Sequence, residues 1–197
     1  FKKRLLQVEQ YFPLAQLDVA DNTLVANETF SDWKQIRRIK TDVVYDLHLM
    51  IDRPDEYLQQ ITSFKKIYRV FFHLESDVDA TKLIRWLRKQ KVQVGIAINP
   101  GTLIKKLKPF LPQIDAVLLL GVKPGFNGAR FQPLTVKRIK ELRALYKQGT
   151  IVIDGGIRPE TIGKVFNAGA DAVVVGSYLH QVKDWSKAIA KLRSVKK

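Results

Sequence analysis

Two glycine-containing turns near the end of the chain could bind an anion. Asp154-Gly155-Gly156 directly follows the β-rich run Thr150–Ile153, and Gly176-Ser177 follows Ala172–Val175. Backbone N–H groups exposed in such turns, and at the helix starts behind them, hold a phosphate without needing a lysine. Asp154 adds a carboxylate to the first turn. The same loop could therefore bind a phosphorylated molecule and perform acid–base chemistry on it.

Polar side chains also recur on one face of two earlier strand-like segments. The period-two alternation of a strand places Gln16 with Asp18, and Asp46 with His48. Carboxylates and a histidine inside a buried strand are costly unless they are paired or bound to a metal. Each one alone would indicate a hydrogen-bonded core group. Together with Asp154 they predict a cluster that carries chemistry.

Seven segments rich in Val, Ile and Leu alternate with helical patterns, which is typical of parallel strands covered by helices on both faces. The predicted strands are Leu14–Ala20, Val43–Leu49, Arg69–Leu74, Val92–Ile98, Asp115–Gly121, Thr150–Asp154 and Asp171–Gly176. The predicted helices are Phe1–Phe12, Asp77–Lys89, Leu134–Tyr146, Pro159–Ala168 and Asp184–Leu192.

This alternation predicts an α/β fold, a single (β/α)8 TIM barrel domain over residues 1–197, with a doubly wound open sheet as the structural alternative. A barrel needs one more strand before the helix at Phe1–Phe12. We expect that first strand to be missing from this 197-residue sequence rather than from the protein. The two glycine turns would then follow the seventh and eighth strands, where such barrels build phosphate sites.

Composition narrows the classes of function. The chain has no cysteine, which fits a reducing, cytoplasmic setting and excludes thiolate metal sites, and it has no apolar run long enough to span a membrane. The net charge of +15 is typical of proteins that bind nucleic acid, so that function has to be considered. We favour a solvated basic surface over nucleic-acid binding, because the basic residues interleave with apolar positions of helices. One such set is Lys137, Arg138, Lys140 and Arg143.

Five strings in this order resemble the signatures of ribulose-phosphate 3-epimerases. They are Leu17–Asp21, Asp46–Ile51, Val122–Gly128, Asp154–Ile157 and Gly176–Ser177. The resemblance covers essentially the whole chain from the first helix onward. It implies a (β/α)8 barrel that interconverts D-ribulose 5-phosphate and D-xylulose 5-phosphate by two-carboxylate proton transfer through a metal-stabilised enediolate.

The resemblance also implies roles for individual residues. Asp18 and Asp154 match the two proton shuttles, and both, with His48 and the position of Gln16, match ligands of a divalent metal such as zinc, iron or manganese. The substrate and phosphate loops correspond to His48, Gly125, Phe126, Asn127, Gly128, Gly155, Gly156, Gly176 and Ser177. The implied partner is a phosphorylated ketose, and we expect a homo-oligomer that does not bind membranes.

Several positions depart from the family pattern, among them four near the predicted metal site and its first loop and Thr23, Lys123, Asn127, Ala129 and Arg130 in the loops. Gln16 replaces a histidine ligand, Ala20 and Leu120 replace methionines, and Asn22 replaces a glycine. An amide oxygen binds zinc less well than an imidazole does. Two alternatives therefore stay open: an epimerase for a ketohexose phosphate such as allulose 6-phosphate, and a catalytically lost barrel that only binds phosphorylated ligands or partners. His73 is interpreted as a core or rim histidine, and His180 as a surface residue.

Overall fold

Strands alternate with helices along the whole chain of the computed structural model, which describes residues 1–29, 32–59, 64–122 and 130–195. The seven strands found in these ranges are β1 Leu14–Ala20, β2 Val44–Met50, β3 Ile67–His73, β4 Gln93–Ile98, β5 Ala116–Leu120, β6 Thr150–Asp154 and β7 Ala172–Val174. The α-helices there are α1 Lys2–Glu9, α2 Trp33–Arg38, α3 Pro54–Gln59, α4 Ala80–Lys89, α5 Leu134–Leu145, α6 Pro159–Asn167, α7 Ser177–Gln181 and α8 Trp185–Ser194. Two 3-10 helices cover Ile104–Leu107 and Leu111–Gln113.

The chain divides into two units, which we call the N-terminal unit (Phe1–Ile96) and the C-terminal unit (Ala97–Lys197). In the N-terminal unit β1 pairs with β2, and β2 with β3, all in parallel. In the C-terminal unit β5 pairs with β6, and β6 with β7, also in parallel. Parallel neighbours bring the carboxyl ends of consecutive strands to one edge, so residues at those ends meet.

The core of the N-terminal unit is built on β2 and β3. Every residue of β2 after Val44 is buried, as are the last five residues of β3. Helix α4 contributes Leu83, Ile84 and Leu87 to the core, and Asp79 caps its start by accepting the Lys82 N–H. Fully burying one such aliphatic side chain is worth about 1.5–3 kcal/mol, so this face holds the helix in place.

The C-terminal unit follows the same pattern with shorter strands. All five residues of β5 are buried, and α6 buries Ile162 and Val165. Helix α6 starts with Pro159 and is followed by Gly169, whose φ is +109°. A proline in the first turn is a typical helix start signal, and a left-handed glycine behind the last turn is a typical stop signal.

Element boundaries differ from the predictions in understandable ways. Helices α2 and α3 are absent from the predicted helices because they have only six residues each, too few for a clear apolar period. Strand β7 ends at Val174, two residues before the predicted end, because Gly176 already caps α7.

None of the described helices has the length and apolar character needed to cross a bilayer. One domain over residues 1–197 remains a prediction.

The prediction that the basic residues are solvated is wrong for Arg138. This residue is buried, and its Nη2 donates to the backbone carbonyls of Asn99 and Thr102 at 2.8 and 2.9 Å. Arg143 is also partly buried and donates to the carbonyl oxygens of Tyr146 and Gly149. These two arginines therefore donate hydrogen bonds to backbone carbonyl groups in loops. Sequence periodicity cannot predict such contacts.

Candidate active site

Asp18 and His48 lie side by side at the carboxyl ends of β1 and β2. The strand register pairs Asp18 with His48 directly, and His48 Nδ1 lies 3.0 Å from Asp18 Oδ1. The imidazole is 1% exposed, whereas the carboxylate is 48% exposed. Two members of the predicted polar cluster thus lie in contact within the N-terminal unit. The arrangement presents a solvent-accessible carboxylate held by a fixed, buried ring.

Gln16 lies one pleat below Asp18 and contacts the same oxygen. Its amide Nε2 donates to Asp18 Oδ1 at 2.8 Å. The amide nitrogen therefore faces the carboxylate, and ligation by the carbonyl oxygen would require the amide to turn over. As it stands, Gln16 orients Asp18 by a hydrogen bond.

The pKa of Asp18 lies below its ordinary value. Partial burial of the carboxyl group raises the pKa, but its hydrogen bonds with the His48 ring and the Gln16 amide lower it by more. The carboxylate is therefore ionised at neutral pH and can accept a proton or bind a cation.

His73 extends the pair into the interior, which the sequence interpretation missed. The Nε2 atoms of His48 and His73 lie 2.9 Å apart, and the two rings stack with their centroids 5.1 Å apart. On its other side His73 Nδ1 lies 3.2 Å from Glu75 Oε2. The core assignment of His73 is confirmed, since the ring is fully buried. The two-residue spacing of His73 and Glu75 at the end of a strand was the available signal.

The pKa of His73 is lowered. Burial is the main cause, and the hydrogen bond to Glu75 opposes it. The ring is therefore neutral at physiological pH, and each of its nitrogens must act either as a donor or as an acceptor.

A buried ion pair lies beneath these residues, one pleat lower on β2 and β3. Arg69 donates to Asp46, and both residues are 5% exposed. The guanidinium also lies over the ring of Phe71, 4.7 Å from its centroid. Burial raises the pKa of Asp46, and the Arg69 charge opposes this shift. The pair fills the interior below the histidines with groups that depend on each other for charge compensation.

Side chain to backbone hydrogen bonds tie together the loops that follow β1, β2 and β3. Asn22 has a φ of +65°, a conformation that asparagine tolerates better than most residues, at the position where the family pattern has glycine. Thr23 Oγ1 donates to Asp21 and accepts the N–H of Asp52, whose carboxylate accepts the N–H of Asp77. These contacts fix the loops around Asp18 and His48.

In the C-terminal unit, Asp154 ends β6 and the two glycines behind it form a tight turn. Gly155 and Gly156 have φ values of +100° and +70°. A Cβ on Gly155 would lie 2.5 Å from a Val122 methyl, and one on Gly156 would lie 2.7 Å from Phe131 Cα. Thr161 Oγ1 donates to the carbonyl of Gly156 and so connects the turn to α6. Backbone geometry and crowding both require glycine here.

Gly176 and Ser177 lie at the equivalent edge, behind the neighbouring strand. Strand β7 pairs with β6 so that Val174 lies opposite Asp154. Ser177 is the first residue of α7. Gly176 has a negative φ, and a Cβ added there would meet no heavy atom within 4 Å. Packing within the described chain therefore does not explain this glycine. His180, as predicted, is exposed.

Gly125, Phe126, Asn127 and Gly128 fall outside the described residues. Asp18 and His48 in the N-terminal unit and Asp154 in the C-terminal unit each offer a ligand atom of a type that binds metal ions. Carboxylate oxygen and imidazole nitrogen suit zinc, iron and manganese alike, so the donor types alone select no single metal.

Comparison with known proteins gives a consistent result. The model of the ribulose-phosphate 3 epimerase family matches residues 1–180. The ribulose-phosphate 3-epimerase of Bacillus subtilis is 33% identical over 189 residues, covering 91% of this chain and 85% of that protein. The enzymes of the same name from Mycobacterium bovis and Encephalitozoon cuniculi are 34% and 37% identical, covering 78% and 82% of this chain and 68% and 72% of theirs.

Solved structures with little sequence identity share the fold. 3-Hexulose-6-phosphate synthase aligns with a TM-score of 0.70 at 18% identity, over 99% of this chain and 92% of that one. A mutant tryptophan synthase α-subunit from Pyrococcus furiosus aligns with a TM-score of 0.70 at 15% identity, over 98% of this chain and 89% of that one. These likenesses confirm the predicted (β/α)8 fold class.

Proposed function

Because the chain belongs to the ribulose-phosphate 3-epimerase family, we propose that it interconverts D-ribulose 5-phosphate and D-xylulose 5-phosphate by inverting C3. The observation that carries the proposal is the Asp18–His48 pair, with 3.0 Å between carboxylate oxygen and ring nitrogen, at the carboxyl ends of two neighbouring strands. Such an ionised, accessible and fixed carboxylate is what removal of a proton next to a ketone requires.

Inversion at C3 needs one acid–base group on each face of the planar carbon. We assign Asp18 to one face and Asp154 to the other. One carboxylate takes the proton as the C3–H bond breaks, and the other carboxylate, in its protonated form, returns a proton to the opposite face. The buried His48 ring and the Gln16 amide hold Asp18 in position for this step. Asp154 belongs to a rigid strand end followed by a glycine turn.

A divalent metal fits the donors present. Asp18 offers a carboxylate oxygen and His48 a ring nitrogen that faces it, and Asp154 is the third ligand in our assignment. When bound, such an ion would stabilise negative charge that develops on the substrate oxygens. Zinc, iron and manganese are the candidates. Gln16 would serve as a further ligand only after turning its carbonyl oxygen toward Asp18.

The phosphate of the substrate is assigned to the turns behind β6 and β7. Gly155 and Gly156 adopt left-handed conformations of the kind found in anion-binding turns, and Gly176 leaves open space where a side chain would otherwise be. Gly125 to Gly128 and Ser177 complete the predicted substrate contacts. Homo-oligomer formation, a cytoplasmic location and the absence of nucleic-acid binding remain predictions.

A catalytically lost phosphate-binding protein is the second candidate. The observation that favours it is Gln16, whose amide group occupies a histidine-ligand position and donates a hydrogen bond to Asp18. Retention of Asp18, His48 and Asp154 argues for catalysis, because a binding protein would not need acid–base groups on two strands.

A substrate panel separates the candidates. The purified chain is incubated with ribulose 5-phosphate, allulose 6-phosphate and unphosphorylated ribulose, and binding and conversion are measured. The proposal predicts conversion of the pentose phosphate and far weaker binding of the sugar without phosphate. Faster conversion of the hexose phosphate would change the substrate assignment, and binding without conversion would favour the catalytically lost protein.

A further inference from the structure

His73 and Glu75 form a chain of contacts behind His48 that runs away from Asp18. Asp18 Oδ1 lies 3.0 Å from His48 Nδ1, His48 Nε2 lies 2.9 Å from His73 Nε2, and His73 Nδ1 lies 3.2 Å from Glu75 Oε2. All four residues belong to the N-terminal unit. The chain thus has a carboxylate at each end and two imidazole rings between them.

The number of available protons limits how these four side chains can hydrogen-bond to one another. Three close contacts link the four groups, and each needs one proton if both carboxylates are ionised. Two neutral imidazoles supply only two protons. With each ring in one of its two neutral tautomers, one of the three contacts is left without a proton.

A cation between Asp18 and His48 Nδ1 resolves the shortage. His48 then carries its proton on Nε2 and donates to His73 Nε2, and His73 carries its proton on Nδ1 and donates to Glu75. Each donor in the chain meets an acceptor in this arrangement. The opposite arrangement, with Nδ1–H of His48 directed at Asp18, leaves the unprotonated Nδ1 of His73 facing the carboxylate of Glu75.

We propose that Glu75, acting through His73, is a positioning residue that holds His48 in the tautomer whose Nδ1 accepts a metal ion. The inference rests on the metal role proposed above and extends it to two residues that do not touch the metal. Outer hydrogen-bond partners of histidine ligands fix both ring orientation and tautomer, and losing one typically weakens metal binding about 10–100-fold.

Glu75→Gln tests the proposal with little change in shape. A glutamine amide can either accept from or donate to His73 Nδ1, so it removes the tautomer preference and keeps the volume. Glu56→Gln is the matched control, because Glu56 lies in the same unit, is 62% exposed and pairs with Arg53 on the surface. Zinc dissociation constants are measured by competition with a chromophoric chelator, and Tm values are recorded in the absence of metal.

The expected result is a zinc affinity about tenfold or more lower in Glu75→Gln, with Glu56→Gln like the wild type and Tm values within error of one another. Equal zinc affinity of Glu75→Gln and the wild type would overturn this inference alone. Failure of the wild type to bind zinc, iron or manganese would overturn it together with the proposed metal role.

A second measurement needs no mutation. Imidazole nitrogen shifts from NMR of the zinc-loaded wild type report which nitrogen of each ring is protonated. The proposal predicts protonated Nδ1 on His73 and protonated Nε2 on His48. A protonated Nε2 on His73 would contradict it, whatever the affinities of the variants.

Discussion

The two units reach their proposed roles by different chemical means. In the N-terminal unit, side chains carry the site: the chain from Asp18 through His48 and His73 to Glu75 depends on their functional groups. In the C-terminal unit, apart from Asp154, the backbone carries it, through two left-handed glycines and the open space at Gly176. Proton transfer needs titratable side chains, whereas binding a phosphate needs only correctly placed N–H groups.

The largest effect is expected at the two proposed acid–base residues. Asp18→Asn and Asp154→Asn should each reduce C3 proton exchange by about 10²–10⁴-fold, because one face of the carbon loses its acid–base group. Exchange is measured by mass spectrometry of the substrate in deuterated water. Asp42→Asn is the matched control, since Asp42 is exposed at the amino-terminal side of β2. Near wild-type exchange in either site variant would remove that residue from the mechanism.

The buried charge of the N-terminal unit should dominate stability. Arg69→Met leaves the Asp46 carboxylate buried without its partner and should cost about 3–5 kcal/mol in the free energy of unfolding. Arg53→Met, which breaks an exposed pair in the same unit, should cost at most about 1 kcal/mol. Urea denaturation measures both. If the double variant Asp46→Leu/Arg69→Met is less stable than Arg69→Met, the uncompensated charge is not the cause.

The two glycine turns of the C-terminal unit can be separated by alanine. Gly156→Ala should lower stability by about 1–2 kcal/mol or more, because alanine disfavours a φ of +70° and its Cβ would contact Phe131. Gly176→Ala should leave stability unchanged, since nothing lies within 4 Å of its added Cβ.

Substrate binding completes this test. If the phosphate lies against Gly176, the alanine variant should raise KM about tenfold, equivalent to ~1.4 kcal/mol, at unchanged Tm. An unchanged KM would place the phosphate elsewhere. The loss of stability in Gly156→Ala is measured without substrate, so it stands independently of that outcome.

Gln16→His restores the ligand type of the family at the N-terminal unit. Imidazole is a better zinc donor than an amide oxygen, so zinc affinity should rise by at least about tenfold. Activity should rise with it if metal occupancy limits the rate. Gln16→Asn, which keeps the amide on a shorter chain, is the control. Unchanged zinc affinity in the histidine variant would show that position 16 does not face the metal.

Substitution of Glu9 should have the smallest effect on stability of the changes considered. It also tests whether stability can be changed without changing catalysis. The Asp42 N–H and the Thr41 hydroxyl lower the pKa of Glu9 in the folded state. Its contribution to stability is therefore present above the ordinary value of 4.5 and is lost as the pH falls through the lowered pKa. Glu9→Gln should flatten the acid limb of the stability curve slightly. A change in C3 exchange at neutral pH would contradict this purely structural role.

The sequence predicted the strands well because buried parallel strands leave nearly continuous apolar runs. It also placed Asp18 and His48 on the polar faces of their strands, since the period-two rule decides which side chains share a face. The contact between them follows from the parallel register of β1 and β2. It missed the His73–Glu75 extension, because the two-residue spacing puts both side chains on one face but does not identify the neighbour that a buried histidine will contact. The short helix α2 and the burial of Arg138 were missed for a related reason: both depend on tertiary contacts rather than on local periodicity.

The proton transfer at C3 of a phosphorylated ketopentose can be measured directly. The wild type is incubated with ribulose 5-phosphate in deuterated water, and the sugar phosphates are examined by NMR. We expect xylulose 5-phosphate to form and to carry deuterium at C3. Tight binding of ribulose 5-phosphate by metal-loaded protein, with no deuterium at C3 and no product, would contradict this expectation.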